Sequence, residues 1–278
     1  MNMQTKASFK KEFLAFRRTG KVFTIAAVII GLAILYTTMT KGLSLFFDTM
    51  SSTYDELGMD VSGISETLGN SPSSSVVAAI SAISSAGLIV YLIMINSYAG
   101  GEQKSRSVII PRSTGLRSFS YIFPKFILYP LTALVLAIMG MFVSLGISSL
   151  IYETTDISVI EGLFAGALLG THLMLYTCIH ITIGTATGKA GMSATICIVA
   201  SMLLPGIFAA LGAENIYNPF TLNGLSASIV MKTIDDIQPG EIIATVAIAL
   251  AIMIILYFLS LFIQNAKRVD NSGNEARL

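Results

Sequence analysis

The chain alternates between long apolar runs, free of Asp, Glu, Lys and Arg except at their ends, and shorter polar stretches. Six runs stand out, at 22–40, 75–98, 126–149, 162–187, 192–212 and 242–263. Each is long enough for a helix across ~30 Å of hydrocarbon. The expected fold is all-α: one polytopic membrane domain over 22–264 with six transmembrane helices, followed by a tail at 265–278. Runs four and five are separated only by GKAG, so Gly188 and Gly191 supply a tight helical hairpin. Ahead of the first run, Phe9, Phe13, Leu14 and Phe16 recur at near-helical spacing, and Lys6, Lys10, Lys11, Arg17 and Arg18 occupy much of the remaining surface. That pattern predicts an amphipathic elbow helix over 1–21, lying in the headgroup layer through Lys10, Lys11, Phe13, Arg17 and Arg18. A cleavable signal peptide fits poorly, because the following run is too long and no small-x-small cleavage site follows it.

Composition agrees with a membrane protein. Of 278 residues, 54% are hydrophobic and only 12% charged, far from a water-facing surface. The net charge of +1 says little as a total and much by position. Fifteen of the seventeen Lys and Arg fall in 1–21, 100–125, 188–191 and after 264; only Lys41 and Lys232 lie elsewhere. Twelve of the sixteen acids do the opposite, lying in 41–74, 150–161 and 213–241. The positive-inside rule then predicts that both termini, the 100–125 loop and the 188–191 turn are cytoplasmic. The outer loop at 41–74 is too short for a core of its own, with room for a short helix near 43–57. In 213–241, Asn218-Pro219-Phe220, a semi-apolar stretch and a Pro-Gly ending predict a re-entrant or interfacial helix pair.

Signals for catalysis are weak. Cys178 and Cys197 sit inside apolar runs and read as small buried side chains rather than a disulfide or metal framework. His172 and His180 lie eight residues apart on the fourth span. A metal or proton-relay role would need carboxylates or further His nearby, and no other span supplies one. The other reading of the pair is hydrogen bonding between helices. ITIGTATGKAG departs from a phosphate loop: Gly184 is too close to Gly188-Lys189, and Ala190 stands where a Mg-binding hydroxyl belongs. No metal site and no nucleic-acid partner are expected. The spans also lack the mid-membrane carboxylate common in ion-coupled transporters, which weakens that class. Intramembrane polarity is instead small and neutral: Ser81, Ser84, Ser85 and Gly87 on span two, Gly140, Ser144, Gly146 and Ser148 on span three, and Gly166, Gly170, Thr171, Thr182, Gly184 and Thr185 on span four. Two readings stay open, close helix packing or a hydroxyl-lined substrate passage through Ser81, Ser84, Ser85, Thr171 and His172. Pro130 and Pro205 each remove a helical hydrogen bond and serve as candidate kinks.

Between spans two and three, GGEQKSRSVIIPRSTGLRSFSYIFPK carries Lys104, Arg106, Arg112, Arg117 and Lys125 against the single acid Glu102. With the basic N-terminal helix and six spans, this loop resembles the ABC-2-type permease, the membrane subunit of type V ABC exporters. Members often show an acid soon after span two, a Gly-Thr pair, a Pro, an Arg, and a Lys opening span three. Glu102, Pro111, Arg112 or Arg117, and Lys125 follow that order, whereas Arg106-Ser107 stands where Gly-Thr is usual. The resemblance implies a coupling helix within SVIIPRSTGLRSFSYIF, seated on a nucleotide-binding subunit through Glu102, Lys104, Arg106, Pro111, Arg112 and Arg117. It further implies two ABC ATPase subunits holding ATP and Mg, no cofactor in this chain, and a dimer with a second copy or a paralogue. It places the protein in the bacterial plasma membrane, with an outer gate near Asn218, Pro219 and Phe220. Within the family the chain looks closest to exporters of amphipathic peptides such as phenol-soluble modulins or bacteriocins, with drug, lipid and sodium export as alternatives. A basic loop holding anionic lipid headgroups is the other reading of this segment. The rival classes for the whole chain are a gradient-driven secondary transporter and a non-transporting immunity or assembly protein.

Overall fold

The computed structural model describes residues 3–56, 71–102, 115–153, 156–211, 217–233 and 239–275. The described residues form helices joined by turns, with no strand among them. They are α1 (Met3–Arg18), α2 (Lys21–Glu56), α3 (Pro72–Ala82), α4 (Leu88–Asn96), α5 (Ser118–Tyr152), α6 (Val159–Thr187), α7 (Ala190–Ala210), α8 (Leu222–Met231) and α9 (Pro239–Glu275). Six helical stretches are long and apolar enough to cross a membrane: Lys21–Phe46, Pro72–Gly100, Ser118–Tyr152, Val159–Thr187, Ala190–Phe208 and Pro239–Ala266. They are the six runs of the sequence pattern, and they mark a multi-pass membrane protein.

Several boundaries differ from the hydropathy pattern. Helix α2 continues to Glu56, into a segment that reads as an outer loop with room for a separate short helix. Helix α5 starts at Ser118, so 118–125 belongs to the third span and not to the basic loop. Helix α9 carries on to Glu275, through most of the expected tail. In each case polar residues continue a helix already nucleated by an apolar run, since extending an existing helix needs no new nucleus.

Local chemistry sets other ends. Ser71 caps α3 in a capping box with Ser74, and Pro72 follows at the first helical position. Ser158 and Glu161 form the same device at α6. Gly188, at φ 67°, ends α6 and turns the chain into α7. The second span is interrupted twice by π-helical turns, Ile83–Gly87 and Ser97–Gly101. At the first, the Ser85 hydroxyl donates to the Ser81 carbonyl at 2.6 Å and Ser84 donates to it at 3.1 Å. Hydroxyls competing for one carbonyl loosen the helical ladder there.

Helix α6 is the hub, with 72% of its most apolar stretch buried against 22%, 17% and 17% for the first, fifth and sixth spans. Lipid offers apolar chains little reason to leave it for one another, so close approach through small residues holds the spans together. Gly162, Gly166 and Gly170 recur every four residues on one face of α6. Cβ atoms added there would reach 2.1 Å from Leu145 Cδ1, 3.2 Å from Ile138 Cα and 2.4 Å from Leu134 Cδ1 of α5. Sparse hydroxyl bonds pin the rest: Thr37 to Ser144 (2.7 Å), Ser226 to the Ala165 carbonyl (2.8 Å) and Ser260 to Thr182 (3.1 Å).

This seam predicts a graded response to added methyl groups. Gly170→Ala sets its Cβ 2.9 Å from Leu134 Cα, a backbone atom, so the helices must separate. We expect a loss of about 1–3 kcal/mol, seen as a lower Tm of the detergent-solubilised protein. Gly146→Ala, with nothing within 4 Å of the new Cβ, is expected to leave Tm unchanged or slightly raised.

Candidate functional site: a buried charge cluster

Lys125 lies two turns inside α5, and its side chain is 1% exposed. A lysine so placed must have its three donors satisfied locally. Its Nζ donates to Glu102 Oε2 and to the Tyr98 carbonyl, each at 2.6 Å, and to the Tyr121 hydroxyl at 3.2 Å. The ammonium also lies 4.4 Å from the centroid of the Tyr121 ring. Glu102 immediately follows the second π-helical turn and reaches Lys11 of α1 through its other oxygen at 2.9 Å. A second carboxylate, Glu12 of α1, is 3% exposed and stands 3.9 Å from both Lys125 and Lys11. Tyr129 donates to Glu12 at 2.7 Å, and Tyr91 donates to the Tyr129 carbonyl.

Two lysines and two glutamates therefore form a net-neutral group joining α1, the end of the second span and the start of the third. Backbone contact aligns these pieces. A Cβ on Gly100 would lie 2.6 Å from the Gly184 carbonyl oxygen, so the π-helical turn lies directly against α6. Phe16 of α1 meets the Tyr98 and Tyr129 rings edge-on, with centroids at 5.9 and 5.3 Å, and those two rings stack on each other. Thr5 and Ser120 share a buried hydrogen bond of 3.0 Å, tying α1 to the first turn of α5.

Burial alone would push the Glu102 carboxyl up, but the Lys125 charge and its hydrogen bond, with Lys11, outweigh that and hold it at about 2. Glu102 is thus ionised throughout the physiological range. The cluster offers neither a nucleophile nor a poised general base. Among the described residues no group of three or more His, Cys, Asp or Glu could hold a metal ion. Displacement of any one of the three segments is resisted by charges on the other two.

The residues singled out by sequence fall in several places. Glu102 is at the centre of the cluster and Lys11 at its edge. Lys104, Arg106, Pro111 and Arg112 lie outside the described residues. Arg117 is exposed and precedes the first turn of α5. Lys10, Arg17 and Arg18 are exposed on α1, as is Phe13, while Thr5, Glu12 and Phe16 form its buried side. The passage candidates are dispersed. Ser81 and Ser85 are exposed, Ser84 is buried, and Ser84 and Ser85 are bonded within their own helix. Thr171 donates to the Ala167 carbonyl of its own helix at 2.8 Å. His172 is buried against the Tyr176 ring, centroids 5.0 Å apart, and Nδ1 has no partner among the described residues. His180 meets Ser193 of α7 at 2.8 Å, an interhelical bond of the expected kind. At the outer-gate candidate, Asn218 caps a 3-10 turn, Pro219–Thr221, that leads into α8. Phe220 packs between Phe208 of α7 and Tyr176 of α6, with centroids at 6.1 and 6.0 Å.

Sequence reasoning missed Glu12, although it is the one acid among the six basic residues of 1–21. No protein-family model, curated protein or solved structure matches this chain.

Two outcomes follow for stability. Lys125→Met leaves two carboxylates without their buried counter-charge and should cost about 3–5 kcal/mol. Adding Glu102→Gln should recover part of that loss, a non-additivity read from a double-mutant cycle of unfolding in detergent. Because the Glu102 pKa is depressed on folding, its contribution is complete above the ordinary 4.5 and is lost as pH falls towards about 2. Glu102→Gln should flatten the acid limb of the stability profile in that window.

Proposed function

We propose that the chain is the membrane-embedded permease subunit of an ATP-driven exporter, working as a dimer and moved by separate ATPase subunits. The observation that carries this reading is the position of Glu102. It is the last described residue before the basic 103–114 segment, and it is bonded to Lys125 at 2.6 Å and Lys11 at 2.9 Å. A motor pressing on that segment would push against a rigid, buried charge cluster that engages α1 and two spans at once.

The remaining features fit this reading. The charge asymmetry favours both termini and the basic segment on the cytoplasmic face. Exposed Lys10, Phe13, Arg17 and Arg18 suit an α1 lying against headgroups while its other side holds the cluster. The least buried spans, α2, α7 and α9, offer apolar surface to lipid or to a second copy. The 3-10 turn and α8, packed on α6, form a short re-entrant element on the opposite side, where a gate would be expected. An amphipathic peptide is the proposed substrate, and a bacterial plasma membrane the proposed location.

The test is reconstitution with the partner ATPase. Glu102→Arg should leave the protein inserted and ATP hydrolysis present while export is lost, and Arg112→Glu should do the same by weakening the docked surface. Vanadate should stop flux by the unaltered complex. Normal export by both variants would remove the coupling assignment. Flux that follows a proton or sodium gradient with no partner present would identify a secondary transporter instead, and no flux under either condition a non-transporting protein.

A further inference from the structure

The 3-10 turn Pro219–Thr221 reaches far into the bundle. Its Phe220 ring meets Tyr176, one helical turn beyond His172 on α6. His172 is thirteen residues from Val159 and fifteen from Thr187. That is about 20 Å from the start of the helix at 1.5 Å per residue, so the contact lies near the middle of the fourth span. Non-helical backbone at such a depth is tolerated only where protein buries it or where it lines water. Here protein buries it: Pro219 is buried, and Phe220 is seated between Tyr176 of α6 and Phe208 of α7.

The seal is chemically poor. Three polar atoms on neighbouring side chains have no hydrogen-bond partner among the described residues: His172 Nδ1, the Tyr176 hydroxyl and Asn218 Nδ2. His172 and Tyr176 are 2% and 0% exposed, with ring centroids 5.0 Å apart. Each of these groups would be hydrogen-bonded in water, so the closed arrangement holds at their expense. The turn's own bonds, by contrast, are internal. Asn218 Oδ1 accepts from the Phe220 N–H at 3.0 Å, and the Asn218 carbonyl accepts from the Thr221 N–H at 3.2 Å and its hydroxyl at 2.9 Å. Among the described residues no hydrogen bond ties the turn to α6 or α7, so it can move as a unit without breaking one. Helix α8 keeps a separate hold on α6, through the fully buried Leu222 and the bond from Ser226 to the Ala165 carbonyl.

We propose that this turn is a removable plug: Phe220 withdraws from between Tyr176 and Phe208 while α8 stays docked, and water reaches the three stranded groups. The hinge falls at Thr221, where the 3-10 turn gives way to α8. Withdrawal uncovers an imidazole, a phenol and an amide, a hydrogen-bonding surface in the middle of the membrane. The gate placed at Asn218, Pro219 and Phe220 thereby gains a moving part and a reason to move: closing strands polar groups and opening hydrates them. The plug rests on that reading only for its use, since the motion itself needs neither an ATPase nor a cargo.

The chain has two histidines, so modification by diethyl pyrocarbonate, located by peptide mass spectrometry, reads them separately. His180 lies eight residues further along α6 and is held to Ser193 at 2.8 Å, which makes it the internal control. In the full-length protein in lipid vesicles, His172 should be modified slowly but measurably, and faster than His180. Phe220→Ala should speed modification of His172 about ten-fold, the equivalent of its two lost aromatic contacts, and leave His180 unchanged. Tyr176→Phe keeps the ring against Phe220 and deletes one stranded hydroxyl. It should slow His172 about five-fold, because opening then hydrates one group fewer. No modification of His172 in the unaltered protein, or no change in Phe220→Ala, would mean that the turn is a fixed wedge. Equal speeding of both histidines would mean general loosening of the bundle, and unchanged or faster modification in Tyr176→Phe would mean that the stranded groups do not favour opening. Any of these overturns the proposal and leaves the permease reading standing. Flux without an ATPase would do the reverse.

Discussion

The structure depends on keeping one ammonium group satisfied away from water. Lys125 is embedded two turns into a membrane-crossing helix, and an isolated charge there would cost several kcal/mol, a large part of the net stability of a typical domain. Its partners come from the Tyr98 carbonyl, Tyr121, Glu102 and Glu12, which belong to three separate stretches of chain. That requirement fixes where α1 docks, where the second span ends, and how deeply the third begins. The Gly100–Gly184 approach and the Phe16–Tyr98–Tyr129 aromatic group hold the backbone in position. The result is a rigid node at one end of a bundle whose helices are otherwise joined by small side chains and single hydroxyl bonds.

This division of labour bears on function. Helix α6 is locked to α5 by its glycines, whereas α2, α7 and α9 leave most of their surface facing outward. A machine that moves helices against one another needs both kinds of contact, a part that transmits force and parts free to shift in lipid. The charge cluster ends at Glu102, which under the proposed reading is where force from a soluble partner would enter.

Much of the fold was legible because the six apolar runs are long and uninterrupted, and a bilayer permits few structures other than helices for such runs. The hairpin was readable at Gly188, although Gly191 lies within α7 and takes no part in the reversal, and where a helix pair was expected after Asn218-Pro219-Phe220 the described residues form a 3-10 turn and the single helix α8. The ends of α2, α5 and α9 were not, because hydropathy marks where lipid ends rather than where helical hydrogen bonding ends. Lys125 read as the border of a basic loop, since sequence alone does not say that Glu102 and Tyr121 will meet it. Glu12 was hidden by composition: one acid in a basic stretch looks like solvated surface until its helix is docked. The serines of the second span read as lining or packing residues, and two of them prove to bond their own backbone.

Each π-helical turn of the second span holds one residue more than an α-helix of the same course would need. Deleting a single residue from Ile83–Gly87 would let an unbroken ladder of backbone bonds form, and hydropathy would scarcely change. The helix after the deletion would keep its course, so Glu102 would still face Lys125, and only the widened turn at Ile83–Gly87 would be lost. The excess residue is spent within its own turn, where it opens the backbone ladder without redirecting the side chains that follow.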